Sequence, residues 1–330
     1  MANKSILAIG LAIFCGFSTI ISIPIILITI GFSPYIIVDH HDYREFVFNS
    51  SAVIDLNLNI DVGNVDIKYS YDPVDYHAKV NLNIEMIGQN IPSKTYTDYF
   101  NIEWDNTNTS FTFTMELLEE SEFDEIMWEK KDIDVFITLN AGILFNINTS
   151  IIREGNVSLL VERWININII DIYSKKGNIL FDFEDCIIGG NIKGNADVGN
   201  INLHAINVQY AQNSVWNLTA NFDIDINIIQ NTTLSANITG TVSTNQGVIT
   251  LLYTDNNPNA GATFSFFLTE GQQPPFGTDI GFTETSEEVN NGWWVSRHIY
   301  NSLDFPAIGN YNLSFYSYNP NRSEIHLKNV

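Results

Sequence analysis

A short motif recurs at a fixed interval in the middle of the chain. A Gly-Asn pair followed by alternating apolar residues begins at Gly155, Gly177 and Gly199, so successive glycines are 22 residues apart. Glycine and asparagine both tolerate positive φ, which makes the pair typical of tight turns. Related motifs predict further repeat turns at Gly63 and Gly247. A period of about 20 residues with a turn and a strand in each favours stacked coils of a β-solenoid.

Strict alternation of apolar and polar residues extends beyond these repeats. It fills residues 54–60, 76–86, 133–139 and 222–228, and each such segment predicts a strand with one buried face and one wet face. Antiparallel β-sandwich domains with Gly-Asn hairpin turns would also place strands at regular intervals. The sandwich therefore stays open as the alternative architecture.

The residue content supports an all-β fold and argues against nucleic acid or nucleotide as a partner. The 330 residues include 41 Asn and 47 Ile; Ile favours strands, and Asn is poor in helix interiors. Net charge is −23, with only 15 Lys and Arg, whereas phosphate contacts need clustered cations. No Gly-rich phosphate-binding loop of the Gly-Lys-Ser/Thr type is present.

An uncharged segment near the N-terminus predicts a membrane anchor. Residues 5–38 carry no charge, and the apolar run is longer than the ~20 residues that a spanning helix needs. A cleaved signal peptide would have a shorter apolar region. Lys4 precedes the segment, so the positive-inside rule places residues 1–4 in the cytoplasm. The sequence thus predicts a single-pass cell-membrane protein, held in the lipid bilayer by an N-terminal transmembrane helix, with residues 39–330 extracellular.

The predicted ectodomain divides into three regions. Residues 39–140 form an N-terminal β region and residues 141–255 form the β-solenoid-like repeats. Residues 256–330 lose the Asn/Ile alternation and become rich in aromatic residues. Because a solenoid needs a terminal structure that covers its open edge, this last region is interpreted as a β-rich C-terminal cap. A separate small recognition domain is the alternative.

The Gly-Asn-Val/Ile repeats resemble the putative-adhesin domain family of unknown function. The resemblance covers residues 53–255 and is best at 150–255. It implies a bacterial or archaeal surface domain with a repetitive β-solenoid-like fold, often behind a transmembrane helix. The family favours Ser-Gly or Asp-Gly turns, whereas this chain places Asn after Gly. The family has no established catalytic residues to carry over.

Rows of oxygen ligands make Ca²⁺ the one cofactor that the sequence raises. Carboxylates and amides that alternate along a strand share a face and could bind Ca²⁺, although a solvated strand face is the simpler interpretation. No other cofactor is expected. The two rows are Asp55, Asn57, Asn59 and Asp61, and Asp223, Asp225 and Asn227. His40, His41 and Asp42 are a weaker candidate for Zn²⁺ or Cu²⁺, with a polar linker as the simpler interpretation.

Two clusters could carry chemistry or recognition. Asp182, Glu184 and Asp185 lie beside the repeats, and paired carboxylates can cleave polysaccharides. An exposed acidic face is the simpler interpretation, so no catalytic residue is assigned. The aromatic C-terminal region contains Trp293, Trp294, Arg297, His298 and Tyr300. These residues could form a platform for sugar or peptide, although aromatic residues in a cap more often belong to the core.

Asn-x-Ser/Thr sequons are somewhat more frequent than chance predicts, which agrees with an exported glycoprotein. The candidate N-glycosylation sites are Asn49, Asn108, Asn148, Asn156, Asn217, Asn231, Asn237, Asn312 and Asn321.

The leading functional hypothesis is a membrane-anchored cell-surface protein whose β-repeat ectodomain has a structural or adhesive, non-catalytic role. Its partners would be glycans or other surface proteins. A surface carbohydrate-active enzyme on the same scaffold is the main alternative, and a ligand-sensing ectodomain is a third.

Overall fold

The computed structural model of the chain consists almost entirely of β-strands. It describes residues 36–48, 52–71, 76–89, 95–119, 123–124, 126–255, 260–268, 282–289, 296–302, 309–318 and 325–329. These residues form one sheet of ten strands and one of fourteen. A single continuous cluster of buried apolar side chains spans both sheets.

The first seven strands are divided between the two sheets. They are β1 (Ile36–Phe46), β2 (Ile54–Val62), β3 (Asn64–Ser70), β4 (Ala78–Gln89), β5 (Phe100–Asn106), β6 (Ser110–Leu117) and β7 (Met127–Asn140). In the ten-stranded sheet, β4 lies antiparallel between β1 and β7, and β7 then pairs in parallel with β3. In the fourteen-stranded sheet, β5 pairs antiparallel with β6, and β6 pairs in parallel with β2. A 3₁₀ turn at Tyr96–Asp98 precedes β5.

The middle of the chain alternates between the two sheets. Its strands are β8 (Phe145–Glu154), β9 (Val157–Glu162), β10 (Asn166–Ser174), β11 (Ile179–Glu184), β12 (Ile187–Ile188), β13 (Ile192–Ala196), β14 (Ile201–Ile206), β15 (Gln209–Tyr210), β16 (Ser214–Ala220), β17 (Ile224–Gln230), β18 (Ile238–Thr244) and β19 (Ile249–Asp255). All pair in parallel. Val157, Ile179 and Ile201 are register partners 22 residues apart, and the interval then lengthens to Ile224 and Ile249.

The last five strands continue both sheets. They are β20 (Ala260–Leu268), β21 (Phe282–Glu288), β22 (Ser296–Ser302), β23 (Gly309–Ser317) and β24 (Ile325–Asn329). β23 pairs in parallel with β18 and β20, and β24 with β19, whereas β22 lies antiparallel between β20 and β21.

The apolar residues of the alternating segments form the core. Leu159, Phe181 and Leu203 lie side by side on β9, β11 and β14 and are fully buried. Each such side chain contributes roughly 1.5–3 kcal/mol by leaving water. The residues between them face outward and are polar for the most part, so one face of each sheet is wet.

The expected architecture requires correction at its N-terminus. No helix in the described part of the chain is long and apolar enough to cross a membrane. The anchor expected at 5–38 lies outside the described residues up to position 35. Its last three residues belong instead to β1, where Val38 pairs with Met86 and is fully buried. The structure therefore does not support the N-terminal transmembrane helix or the single-pass localisation with residues 39–330 extracellular.

The sheets also differ from the expected architecture. The all-β class is confirmed, but the sheets are mixed and open, because antiparallel strands occur near each end. The antiparallel sandwich does not describe residues 141–255, where neighbouring strands pair in parallel.

Candidate functional site

In residues 145–255, we call a turn, the following strand of the ten-stranded sheet and the next strand of the fourteen-stranded sheet one coil. The turn at one end of the coil contains glycine in most cases. Gly155 and Gly177 have φ of +156°, in the left-handed region that disfavours side chains. A Cβ on Gly155 would overlap the carbonyl oxygen of Gly63, and a Cβ on Gly177 would overlap that of Gly155. Gly199 stands in the same relation to Gly177. The four glycines are therefore stacked one above another, and we call this stack the turn column.

The asparagine after each glycine caps the backbone of the next coil. The Asn156 N–H donates to Asn64 Oδ1 at 3.1 Å, the Asn178 N–H to Asn156 Oδ1 at 2.8 Å, and the Asn200 N–H to Asn178 Oδ1 at 3.0 Å. At the near end, Asn64 Nδ2 donates to Asp134 Oδ1 at 3.0 Å. Each side-chain oxygen satisfies an amide that the strand ladder leaves unpaired, which explains why Asn follows Gly.

The turn column continues through two residues that lack the motif. The Asp223 N–H donates to Asn200 Oδ1 at 2.9 Å, and the Val248 N–H donates to Asp223 Oδ1 at 2.8 Å. Phe222 therefore takes the place of a glycine, with Gly247 stacked on its backbone. The sequence pattern assigned Phe222 to an alternating strand and Asp223 to an oxygen row, and not to a turn, because no Gly-Asn pair stands there. The one sequence signal was the alternating strand that follows at Ile224.

A groove of about 440 Å³ runs along the turn column. The four stacked glycines and the asparagines that follow them line it, together with Lys131, Glu154, Lys176, Val198 and Phe222. We call it the turn groove. Glu154 Oε2 lies 3.3 Å from Lys131 Nζ and 3.5 Å from Lys176 Nζ, so one carboxylate bridges two ammonium groups.

A second groove of about 350 Å³ shares Lys131, Glu154 and Lys176 with the first and adds Arg153 and Lys175. Arg153 Nη2 lies 2.5 Å from the carboxylate of Asp124, which also lines this groove. The four cations, which we call the basic cluster, thus face two carboxylates among the lining residues. This is a local excess of positive charge on a chain of net charge −23.

The other end of each coil is a corner, and one corner carries an insertion. Between register partners Glu162 and Glu184 on one side, and Asn166 and Ile187 on the other, the earlier coil has three residues and the later coil has two. The extra residue is Trp164. The glycines nevertheless stay 22 residues apart, because two residues lie between Ile167 and Ile170 in the earlier coil, whereas three lie between their partners Ile188 and Ile192 in the later coil.

The insertion exposes the indole ring of Trp164 to solvent. Arg163 and Trp164 both adopt left-handed backbone, with φ of +51° and +65°, whereas the next coil has a single left-handed residue at Asp185. Trp164 is 72% exposed. Its neighbour Ile165 takes the inward position that Cys186 occupies in the next coil, and both are buried.

Backbone contacts hold this corner in place. The Arg163 N–H donates to the Glu184 carbonyl at 2.9 Å, and the Trp164 N–H donates to the Asp185 carbonyl. The Tyr71 hydroxyl donates to the carbonyls of Glu162 and Arg163. Desolvation raises the pKa of the Tyr71 hydroxyl. We call Tyr71, Arg163 and Trp164 the tryptophan corner.

Three residues of the first predicted Ca²⁺ row, and Asp223 of the second, accept internal hydrogen bonds. Asn146 Nδ2 donates to Asp55 Oδ1 at 2.6 Å, Asn148 Nδ2 donates to Asn57 Oδ1 at 3.3 Å, and the Leu117 N–H donates to Asp61 at 2.8 Å. Amide donors thus occupy positions where a cation would lie. Asn59 follows along β2, and Asp225 and Asn227 lie on β17 beyond Asp223. Within the described ranges, no group of three His, Cys, Asp or Glu is placed to hold a metal.

The histidine candidates do not converge. His40 stacks on Tyr96 with ring centroids 3.6 Å apart, and burial lowers its pKa. His41 follows directly on β1, so its side chain points to the opposite face, where its Nε2 lies 3.1 Å from Asp39. Asp42 instead contacts Arg44.

The carboxylate cluster lies on an open surface. Asp182 and Glu184 face outward from β11, and Asp182 lies 3.9 Å from His204 Nδ1. Asp185 lies at the corner, where its Oδ1 accepts a hydrogen bond of 3.1 Å from Asn207 Nδ2. Lys193, the cation that follows in the sequence, pairs with Asp171 in the other sheet at 2.9 Å.

The structure describes only part of the aromatic platform expected near the C-terminus. Trp293, Trp294 and the side chain of His298 lie outside the described part of the structure. Arg297 pairs with Glu287 at 3.0 Å. Tyr300 is buried against Phe266, and its burial raises its pKa.

Seven sequon asparagines fall within the described residues, and all seven are exposed: Asn108, Asn148, Asn156, Asn217, Asn231, Asn237 and Asn312. Asn49 and Asn321 lie outside them. Glycosylation of any of the nine stays a prediction.

Comparison with known proteins gives similarity at the level of structure alone. No family model matches the sequence, and no curated protein matches it at a significant level. A structure of a putative cell adhesion protein from Clostridium sporogenes is 12% identical, with 88% of this chain and 100% of that chain covered and a TM-score of 0.35. A putative adhesin from Bacteroides fragilis is 15% identical, with 88% and 97% covered and a TM-score of 0.31.

A putative adhesin from Parabacteroides merdae is 13% identical, with 68% of this chain and 90% of that chain covered and a TM-score of 0.24. The structural neighbours therefore bear the same description as the family that the Gly-Asn repeats resemble. At these low identities and scores, the likeness transfers no residue role to this chain.

Proposed function

We propose that this protein is a non-catalytic binding protein with an adhesive role, and that the tryptophan corner is its adhesive contact. The observation that carries the proposal is the outward position of Trp164, which at 72% is the most exposed of the large apolar side chains in the described residues. Left-handed backbone disfavours an L-residue with a large side chain by roughly 1–2 kcal/mol. The corner therefore holds the indole in solvent against a conformational cost.

The neighbouring coils indicate that the cost is avoidable. At the corresponding corners, Asp185 and Asn207 each turn the chain with one left-handed residue, and Cys186 and Val208 then enter the core. The fold thus forms the corner without an exposed aromatic ring. Strained backbone of this kind clusters at functional sites, which supports a binding role for Trp164.

The residue types at the corner match those that dominate protein interfaces. Trp, Tyr and Arg are the residues most enriched among binding hot spots, and Trp164, Tyr71 and Arg163 occur together here, all of them exposed. The partner that fits this composition is a protein or glycoprotein surface with a pocket for the indole ring.

Retention under flow tests the proposal. Beads coated with the protein are passed over surfaces coated with mucin, collagen or albumin, and wild-type beads are expected to be retained on mucin or collagen above the albumin background. Trp164→Ala should reduce retention to that background. Val215→Ala, which truncates another exposed apolar side chain on a regular strand, is the matched control. Equal retention of the wild type and Trp164→Ala would contradict the proposal.

A parallel assay addresses catalysis. Wild-type protein is incubated with acidic and neutral polysaccharides, and new reducing ends or unsaturated ends are measured. No release above the buffer control is expected. Release that Asp182→Ala abolishes would instead favour the carbohydrate-active enzyme.

A further inference from the structure

The turn groove presents hydrogen-bond donors. Asn178 Oδ1 accepts the Asn200 N–H at 3.0 Å, and Asn200 Oδ1 accepts the Asp223 N–H at 2.9 Å. Within an asparagine side chain only the oxygen can accept a hydrogen bond, so these contacts fix which way each amide points. The two NH₂ groups make no hydrogen bond within the part of the chain that the structure describes, and both residues line the groove.

Ammonium groups add to these donors. Lys131 and Lys176 line the same groove and share the single carboxylate of Glu154. Ion pairs as exposed as these are weak and readily exchange partners. An incoming carboxylate can therefore take one ammonium from Glu154 at little cost. The lining thus suits a ligand rich in acceptor oxygens and bearing negative charge.

We infer that the turn groove binds a carboxylate-bearing polysaccharide. Neighbouring strands lie about 4.8 Å apart, so the free NH₂ groups of Asn178 and Asn200, on adjacent coils, can both contact one extended chain that lies along the groove. Phe222, 40% exposed at one end of the groove, offers an aromatic face to the apolar side of a sugar ring. This site is separate from the tryptophan corner, because β9 lies between the turn and the corner of its coil.

Two other acidic polymers fit the groove less well. Duplex nucleic acid carries one charge per ~1.7 Å, and the net charge of −23 repels such a dense polyanion. A uronic-acid polysaccharide spreads its carboxylates more widely. An acidic peptide binds most readily by adding a strand at a sheet edge, whereas the groove runs across turns and offers side-chain and ammonium donors.

Binding to polygalacturonate, measured by biolayer interferometry, tests the inference. Wild-type protein is expected to bind it, and to bind its fully methyl-esterified, neutral form much more weakly. The Lys131→Gln/Lys176→Gln variant should lose about tenfold or more in affinity, because it removes two charge-assisted contacts. Lys193→Gln, which removes a cation from the outer face of β13, is the matched control and should bind as the wild type does.

Two further variants separate binding from folding. Asn178→Asp keeps an oxygen to accept the Asn200 N–H but replaces the NH₂ donor by a carboxylate oxygen, so binding should fall while the unfolding temperature stays near that of the wild type. Glu154→Gln releases both lysines from their shared partner and should tighten binding severalfold.

The inference is overturned if the neutral ester binds as well as polygalacturonate, or if the double lysine variant binds as well as the wild type. It is also overturned if polyglutamate or a thymidine oligonucleotide binds more tightly than polygalacturonate. None of these results depends on Trp164, so the adhesive proposal stands or falls on the flow assay alone.

Discussion

The two ends of each coil obey different rules. At the turn end, four glycines are stacked and the following asparagines cap one another in an unbroken series from Asn64 to Asn200. At the corner end, successive coils use one or two left-handed residues, and one coil turns Trp164 into solvent. Both ends connect the same two sheets, so the difference does not arise from the core.

The turns and the corners differ in how many residue types each of them allows. A turn with no room for a Cβ admits only glycine, and each coil then depends on the one before it. A corner has space for an added residue, because its backbone can adopt a second left-handed conformation and a later register shift restores the pairing. Sequence variation that creates a binding surface is therefore tolerated at corners and excluded from the stacked glycines.

The largest effect is expected at the turn column. Gly155→Val places a side chain where the Gly63 carbonyl lies and at a φ that Val avoids, so we expect a loss of at least ~3 kcal/mol in unfolding free energy. Urea denaturation measures it. Gly142→Ala is the control, because its Cβ would approach only Asn140 Oδ1, at 3.2 Å. Similar urea midpoints for Gly155→Val and Gly142→Ala would show that the turn column is no more constrained than an ordinary turn.

A smaller effect is expected at a regular corner. Cys186 is buried, and burial raises the pKa of its thiol to about 12. Cys186→Ser should cost about 2 kcal/mol by placing a hydroxyl in an apolar site, as thermal or urea unfolding can show. Cys186→Val should be tolerated, since Val208 occupies the same place one coil later. A destabilised Val variant would show that the two corners are not equivalent.

The asparagine series gives an effect of about 1 kcal/mol. Asn178→Ala leaves the Asn200 N–H without its acceptor and should lower the unfolding free energy by that amount. Asn202→Ala on the wet face of β14 is the matched control and should change it by less than ~0.5 kcal/mol. If the two variants are equally stable, the series is not a stabilising device.

The smallest stability effect is expected from removing the insertion. Deletion of Trp164 restores a two-residue corner like those at Asp185 and Asn207, so the unfolding free energy should stay within ~0.5 kcal/mol or rise as strain is relieved. Retention of protein-coated beads should nevertheless disappear. A folded deletion variant that still adheres would show that Trp164 is not the adhesive contact, and a deletion that unfolds the protein would assign Trp164 a structural role.

Much of the local structure was predictable. Period-two alternation predicted the buried residues of β2, β7 and β17, because a strand between water and core must alternate. The Gly-Asn pairs at Gly155, Gly177 and Gly199 predicted turns, since those residues accept positive φ. Turn chemistry depends on neighbours in the chain, and for that reason it could be inferred without the fold.

The sites were not predictable in the same way. Phe222 and Asp223 continue the turn column without its motif, and only the hydrogen bond from the Asp223 N–H to Asn200 reveals them. In the first oxygen row proposed for Ca²⁺, Asp55 and Asn57 accept amide hydrogens from Asn146 and Asn148 on the neighbouring strand β8. Which groups face one another across coils depends on register, and a one-residue shift changes every partner.

The sequence by itself determined an all-β chain with glycine turns 22 residues apart, because alternation and positive φ are local requirements. Only the tertiary structure decided that Lys131, Lys176 and the stacked asparagines line one groove, and that Trp164 is an inserted residue. The physical reason is that 22-residue spacing counts residues along the chain, whereas strand pairing aligns them in space. An added residue at the corner and a compensating register shift leave the count unchanged and place Trp164 in solvent.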